Sequence, residues 1–168
     1  MGPDEASGAA SASAVEAGWL RQALDLATET ARAGGIPFAG LVVQGGRIVG
    51  RGVNRVRADH DPTAHAEISA VRDACRRLRT PALPGATLVA SAEPCALCLM
   101  AAAWSGIGRV IYAAGAEVAA AYGFDYRVPR ELIAAIERWP LRLVRVHVAE
   151  AESPFRAWSA AAPRGPAP

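Results

Sequence analysis

The sequence predicts one α/β domain in three layers, with helices on both faces of a central mixed five-stranded sheet. Two observations carry that expectation. Segments of helical and of strand periodicity alternate along the chain, a leading helix followed by β-β-α-β-α-β-α-β. The chain is 168 residues long and 52% hydrophobic, which is the size of one domain with enough apolar side chains to fill a core.

Each element follows from local chemistry. Residues 1–13, rich in Ala, Ser and Gly, and residues 163–168, Pro-Arg-Gly-Pro-Ala-Pro, have little to bury and are expected to be flexible ends, so the domain spans 14–162. Trp19, Leu20, Ala23, Leu24, Ala27 and Ala31 recur on one side of a helix that ends at Gly34-Gly35. Leu41–Gln44 and Arg47–Val49 flank Gly45-Gly46, a two-residue hairpin signal. The next helix is expected from about Asp61-Pro62-Thr63, where Asp or Thr caps and Pro suits the first turn. It carries His65 in that turn and Ile68, Val71, Cys75 and Leu78 on its buried face. Thr87–Ala92 reads as a strand. Cys95–Trp104, opened by Pro94, is apolar nearly all round, which predicts a helix sandwiched between layers. Strands near Arg109–Ala113 and Leu141–Val148 and a helix near Arg130–Arg138 complete the run.

Composition narrows the function. All 18 basic residues are Arg, against 16 acidic ones, for a net charge of +2; so even a balance argues against a nucleic-acid partner. The longest apolar run, Cys95 to Trp104, falls far short of the ~20 residues a spanning helix needs, so no membrane partner is expected. Three cysteines are too few for a disulfide framework and predict a cytoplasmic, reducing location. In such a compartment the C-x-x-C pair Cys95 and Cys98 signals metal or redox chemistry.

Metal is the better reading. Cys95 and Cys98, three apart at a helix start, place both sulfurs on one side, and His65 brings an imidazole from a second helix start. The positive end of a helix dipole favours thiolate, the form that zinc binds. A Cys₂His set leaves one tetrahedral position open, the pattern of a catalytic Zn²⁺. Cys75 lies ten residues along the helix from His65, about 15 Å at 1.5 Å per residue, too far to share the site, and reads as a small core residue. His147, alternating with Val144, Val146 and Val148, reads as an ordinary histidine; His60 stays open as a fourth ligand, with water preferred.

Glu67 decides the chemistry. Two residues beyond His65, it points too differently to be an obvious ligand yet lies near enough to reach a zinc-bound water. Such a water loses its proton near pH 7, and a neighbouring carboxylate can take that proton and hand it to a leaving group. H-x-E combined with P-C-x-x-C is the signature of zinc nucleobase deaminases, which exchange a ring amine for oxygen. A thioredoxin-like redox pair would leave His65-Ala66-Glu67 unexplained.

At these residues the chain resembles the cytidine-deaminase-like superfamily, and within it the guanine deaminase branch. The resemblance runs from about Gly34 to Trp158 and rests on Gly35-Ile36-Pro37-Phe38, Asn54, Asp61-Pro62-Thr63-Ala64-His65-Ala66-Glu67, Glu93-Pro94-Cys95-Ala96-Leu97-Cys98, Trp104, Tyr122-Gly123-Phe124-Asp125 and Ser153-Pro154-Phe155-Arg156-Ala157-Trp158. It implies that Phe38 stacks on the bound base, that Asn54 and the backbone at Ala66 hold the ring edge, and that Trp104 lines the pocket. It also implies a homodimer in which the C-terminal segment is exchanged and closes the partner's site. The branch carries a second Asp after Asp125 as a proton carrier; here that position is Tyr126, and a phenol titrating near 10 is a poor shuttle at pH 7.

The function expected is therefore a zinc-dependent aminohydrolase of a small free nucleobase or related amino-heterocycle, whether guanine-like, cytosine or an aminotriazine. Within the class, the rival is a tRNA adenosine or nucleoside deaminase. In another class it is a noncatalytic zinc-binding dimer module, against which Glu67 speaks.

Overall fold

Helix α1 (Ala14–Arg32) begins where the sequence supplies a reciprocal cap. The Ser13 hydroxyl accepts from Glu16 N–H at 3.2 Å, and the Glu16 carboxylate accepts from Ser13 N–H at 3.1 Å. The helix stops at Ala33 before Gly34, whose φ of +82° suits glycine. The computed structural model describes residues 13–126 and 142–161, so the expected chain ends and the helix near Arg130–Arg138 lie outside the described residues.

After α1 come β1 (Ala39–Gln44), β2 (Arg47–Val53), a short α2 (Val56–Asp59), α3 (Ala66–Leu78), β3 (Thr87–Ala92), α4 (Ala96–Trp104), β4 (Arg109–Ala114), α5 (Ala116–Ala121), β5 (Arg142–Arg145) and α6 (Ser153–Ala161). The five strands order β2-β1-β3-β4-β5, with β1 antiparallel to both neighbours and β3, β4 and β5 parallel, so the sheet is mixed as the sequence predicts. Gly45 and Gly46 turn β1 into β2 at φ of +58° and +75°, both in the left-handed region that a two-residue hairpin requires.

Strand alternation divides the core into two layers. Leu41, Val43, Val89 and Ile111 meet Leu20 and Leu24 of α1 on one face, while Val42, Leu88 and Val110 meet Ala70, Ala74 and Leu99 of α3 and α4 on the other. Helix α6 joins α1, where Thr28 Oγ1 and Ser153 Oγ lie 3.3 Å apart, and its Phe155 enters a third cluster with Ile36, Ala92, Ala114 and Phe124. In this chain the Ser153–Trp158 segment thus packs on its own subunit. Trp158 also receives the Arg57 guanidinium 5.5 Å above its ring.

Four expectations are corrected. Helix α3 starts at Ala66, not near Pro62, because the Asp61 carboxylate accepts from both Thr63 N–H and Thr63 Oγ1 (2.8 and 2.6 Å) and closes a separate turn. His65 is consequently the cap before the helix rather than part of its first turn. Of the expected stripe on α3, Ile68 is buried and Val71 and Cys75 are half-buried against the core, but the buried face is completed by Ala66, Glu67, Ala70 and Ala74, and Leu78 is 40% exposed. The cause lies in β2: a Cβ on Gly50 would stand 2.4 Å from Ala70 O and one on Gly52 2.3 Å from Ala66 O, so the helix lies on glycines and only its alanine face fits. Nor is α4 sandwiched, since Leu97, Met100 and Trp104 are 42%, 40% and 90% exposed beside Val71 and Cys75. The fourth correction shortens the last strand to Arg142–Arg145 within the described residues, Val146 to Val148 being irregular though Val146 and Val148 remain buried.

Candidate active site

The sheet register brings the site residues to one edge. Pairing of Ala39 with Val53 and of Gly40 with Ala90 sets the start of β1, the end of β2 and the end of β3 side by side. Phe38, Asn54 and Glu93 are the residues next beyond those ends, and Asn54 N–H donates to Phe38 O at 3.1 Å. Onto this edge come the heads of α3 and α4. Each is preceded by a ligand-type residue in extended backbone: His65 at φ −64°, ψ 156°, and Cys95 at φ −69°, ψ 169°.

His65 Nδ1 lies 3.4 Å from Cys95 Sγ and 3.4 Å from Cys98 Sγ, and the two sulfurs are 3.5 Å apart. Three soft donors in an equilateral triangle are poorly explained as hydrogen bonds to one another. Tetrahedral zinc bonds of about 2.0–2.3 Å place ligand atoms roughly 3.4–3.8 Å apart, so the triangle fits that ion. Among the described residues this is the cluster of His, Cys, Asp and Glu that could hold a metal. His60 and His147 are exposed elsewhere, and Cys75 is a half-buried free thiol between α3 and α4, so neither the fourth-ligand role for His60 nor full burial of Cys75 holds.

Electrostatics fit a dication. The Cys98 thiol hydrogen-bonded to Cys95, with His65 adding to it, pulls Cys95 down to about 4 against the opposing effect of burial. The same contact, with burial, pushes Cys98 up. The pair alone therefore carries one negative charge, and a bound dication is what allows both sulfurs to ionise. His65 is raised by its contact with Cys95. Burial pushes the Glu67 carboxyl up to about 7, and its Oε2 lies 3.3 Å from Cys98 Sγ.

An inner chamber of about 50 Å³ opens beside the triangle, lined by Phe38, Asn54, His65, Glu67, Glu93, Cys95 and Tyr126. An outer cavity of about 250 Å³ shares Phe38, Asn54, His65 and Tyr126 and adds Ile36, Val56, Phe124 and Asp125. The Phe38 ring is held edge-on by Phe124, Phe155 and Tyr126 at centroid distances of 5.3, 5.7 and 6.2 Å. Asn54 Oδ1 accepts from Val56 N–H at 3.1 Å. Tyr126 donates to Glu93 O at 2.7 Å, and burial, helped by the charge of Glu67, pushes its phenol up and away from ionisation.

Some expected residues fall elsewhere. Trp104 does not line this chamber. It ends α4, eight residues past Ala96 or about 12 Å along the helix, and is 90% exposed in the separate groove between α3 and α4. Asp125 borders the outer cavity and does not reach the inner chamber. Ala66 is fully buried and lines neither cavity. Sequence reasoning gave no role to Glu93, which is 8% exposed, lines the chamber and accepts from Ala116 N–H at 3.1 Å through Oε2. Its signal was a carboxylate between a buried strand and Pro94-Cys95, where nothing but a site or a cap calls for charge.

The family model for the cytidine and deoxycytidylate deaminase zinc-binding region matches residues 14–114, which include His65, Glu67, Cys95 and Cys98. The chain belongs to this family. This deaminase is 39% identical over 142 residues to the guanine deaminase of Bacillus subtilis (strain 168), covering 83% of this chain and 91% of that one. It is 40% identical over 96 residues to the tRNA-specific adenosine deaminase of Aquifex aeolicus, covering 57% of this chain and 64% of that one. Among solved structures, the guanine deaminase of Nitrosomonas europaea superimposes with a TM-score of 0.77 at 30% identity, over 90% of this chain and 87% of that one. The Bacillus subtilis guanine deaminase structure gives 0.66 at 38% identity, over 88% and 96%. The deaminase is thus a zinc-dependent hydrolytic aminohydrolase with a cytidine-deaminase-like fold, and the reading of a noncatalytic module falls away.

Proposed function

We propose that the substrate is a small free amino-heterocycle, purine-sized or smaller, with guanine, cytosine and the aminotriazines as the candidates. The observation that carries this reading is the inner chamber: one aromatic wall and a few convergent polar groups around about 50 Å³, opening into an outer cavity of about 250 Å³, room on the scale of one small ring system. The more extensive likeness to guanine deaminases than to tRNA-specific deaminases, 83% against 57% of the chain, supports it, as does the near-balanced charge.

When bound by His65, Cys95 and Cys98, zinc supplies Lewis-acid activation of water at neutral pH. Phe38 stacks on the ring, and Asn54 and the backbone at Ala66 hold its edge. Glu67 takes a proton from water and delivers it to the leaving nitrogen, so that the exocyclic C–N bond breaks, a C–O bond forms at the same ring carbon and ammonia departs. Burial raises the Glu67 carboxyl above the ordinary carboxylate range, so that it holds a proton more readily than an exposed carboxylate and can give it back. Asp125 stands at the mouth and Tyr126 at the chamber wall.

We further infer a cytoplasmic homodimer whose α6 is exchanged between subunits. The low cysteine count supports the compartment, and in the proposed exchange the partner's α6 takes the place that α6 of this chain holds, where Phe155 packs on Phe38. An ammonia-release screen over guanine, cytosine, adenine, their nucleosides and aminotriazines tests the substrate class. Turnover of free bases supports it, while turnover confined to nucleosides or tRNA overturns it. Light scattering tests the dimer, and a clean monomer removes the exchange.

A further inference from the structure

Tyr126 and Asn54 present opposite hydrogen-bonding polarity to the inner chamber. The Tyr126 phenol commits its one proton to Glu93 O at 2.7 Å. That carbonyl is held in place, because Glu93 N–H donates to Ala114 O at 2.8 Å and Glu93 Oε2 accepts from Ala116 N–H at 3.1 Å. A hydroxyl has one proton and two lone pairs, so the oxygen offers the chamber acceptor capacity alone. Asn54 is wired the other way. Val56 N–H can only donate, which assigns Oδ1 to it and leaves the Nδ2 hydrogens, both donors, for a ligand.

We propose that Tyr126 is a specificity-determining residue that accepts a hydrogen bond from the exocyclic amine about to be lost. It thereby selects amine-bearing heterocycles over isosteric ones whose leaving group has no N–H. The proposal rests on the aminohydrolase reading above. A ring that turns an acceptor edge to Asn54 and an N–H to Tyr126 satisfies both walls, whereas the reverse orientation sets donor against donor and acceptor against acceptor in a partly enclosed chamber. Tyr126 therefore orients the amine, and Glu67 alone moves protons.

The discriminating comparison pairs two leaving groups on one ring. Guanine and 2-chlorohypoxanthine both hydrolyse to xanthine: in the first the C–N bond breaks, nitrogen gains a proton and ammonia leaves. In the second the C–Cl bond breaks with its electron pair going to chloride, and the displaced proton goes to solvent. Cytosine and 4-chloropyrimidin-2-one, both giving uracil, form a second pair. The measured quantity is the ratio of kcat/KM for amine to kcat/KM for chloride, with zinc content determined alongside.

Tyr126→Phe is expected to lower that ratio roughly 3–10-fold, the loss of one neutral hydrogen bond, through the amine arm alone. Tyr126→Asp, which restores an acceptor oxygen, is expected to keep the ratio within about threefold of the parent. An equal loss in both arms of Tyr126→Phe means a merely structural tyrosine and overturns the proposal. So does a fall in Tyr126→Asp as large as that in Tyr126→Phe, whichever variant folds better. If the parent releases ammonia from no free base or aminotriazine, the small-base reading itself fails and takes the proposal with it; parental turnover of an amine with an unmoved ratio overturns Tyr126 alone.

Discussion

His65 and Cys95 occupy equivalent places, each the extended residue before a helix, and their Nδ1 and Sγ atoms stand 3.4 Å apart where the two helix heads meet. Neither side chain caps its own helix by hydrogen bonding, so both are turned to the shared centre. Removing either, or Cys98, leaves two donors, too few to hold zinc against a chelator. Substitution to Ala is expected to leave purified protein with little zinc by elemental analysis and without deaminase activity. Full zinc content in any of the three would remove that residue from the ligand set.

Glu67 is separable from the ligands. It is 6% exposed and close to Cys98, yet it belongs to the first turn of α3 and does not join the donor triangle. Glu67→Gln keeps shape and hydrogen-bonding capacity but carries no transferable carboxyl proton. Ammonia release is expected to fall by at least about 10²-fold with zinc content unchanged. Activity within tenfold of the parent would show that another group moves the protons.

Gly52 and Gly18 give opposite outcomes for the same substitution. A Cβ at Gly52 would lie 2.3 Å from Ala66 O and from Ala70 N, backbone atoms that cannot step aside, so Gly52→Ala pushes away the helix head next to His65 and Glu67. A cost of about 2 kcal/mol or more is expected, together with weaker zinc binding. At Gly18, inside α1, a Cβ meets nothing within 4 Å, and Gly18→Ala should stabilise by about 0.5–1 kcal/mol. Thermal unfolding of both variants checks the pair, and equal shifts would refute the contact argument.

The difference between those glycines also marks what the sequence could tell. Strands, their alternation and the hairpin were legible because period 2 and Gly45-Gly46 are local signals. The metal triangle was legible because its spacing is a chemical signature. The face of α3 was legible in part: Ile68 is buried and Val71 and Cys75 pack on the core, but only the glycines across the interface, fourteen or more residues away in sequence, turn the alanines inward and leave Leu78 outside. Trp104 escaped for a related reason, since an apolar residue at a helix end carries no information on which side of the domain that end emerges. Glu93 was visible as a motif letter, but its bond to Ala116 depends on β3 and β4 lying side by side.

Acid stability offers a test of how α1 is fastened to the sheet. Glu16 closes the cap of α1 and also pairs with Arg109 at the start of β4, their side chains 13% and 35% exposed. Burial alone would raise the Glu16 carboxyl; the hydrogen bonds from Arg109 and Ser13 overcome it and leave the carboxyl below its ordinary value. Asp73 behaves alike on α3, burial being outweighed by Arg51 N–H at 3.0 Å and Arg77 Nε at 2.8 Å. A depressed carboxylate stabilises the fold above its unfolded-state pKa of about 4, and that contribution is lost as pH falls through the lower folded-state value. Glu16→Gln isolates the charge, because Gln still closes the cap. It is expected to cost about 1 kcal/mol at pH 7, a drop of roughly 2–4 °C in Tm, and the gap between parent and variant should narrow as the pH is lowered below the carboxyl's ordinary value of about 4. A gap that persists unchanged in acid would mean that the ion pair with Arg109 contributes nothing and that Glu16 acts through the cap alone.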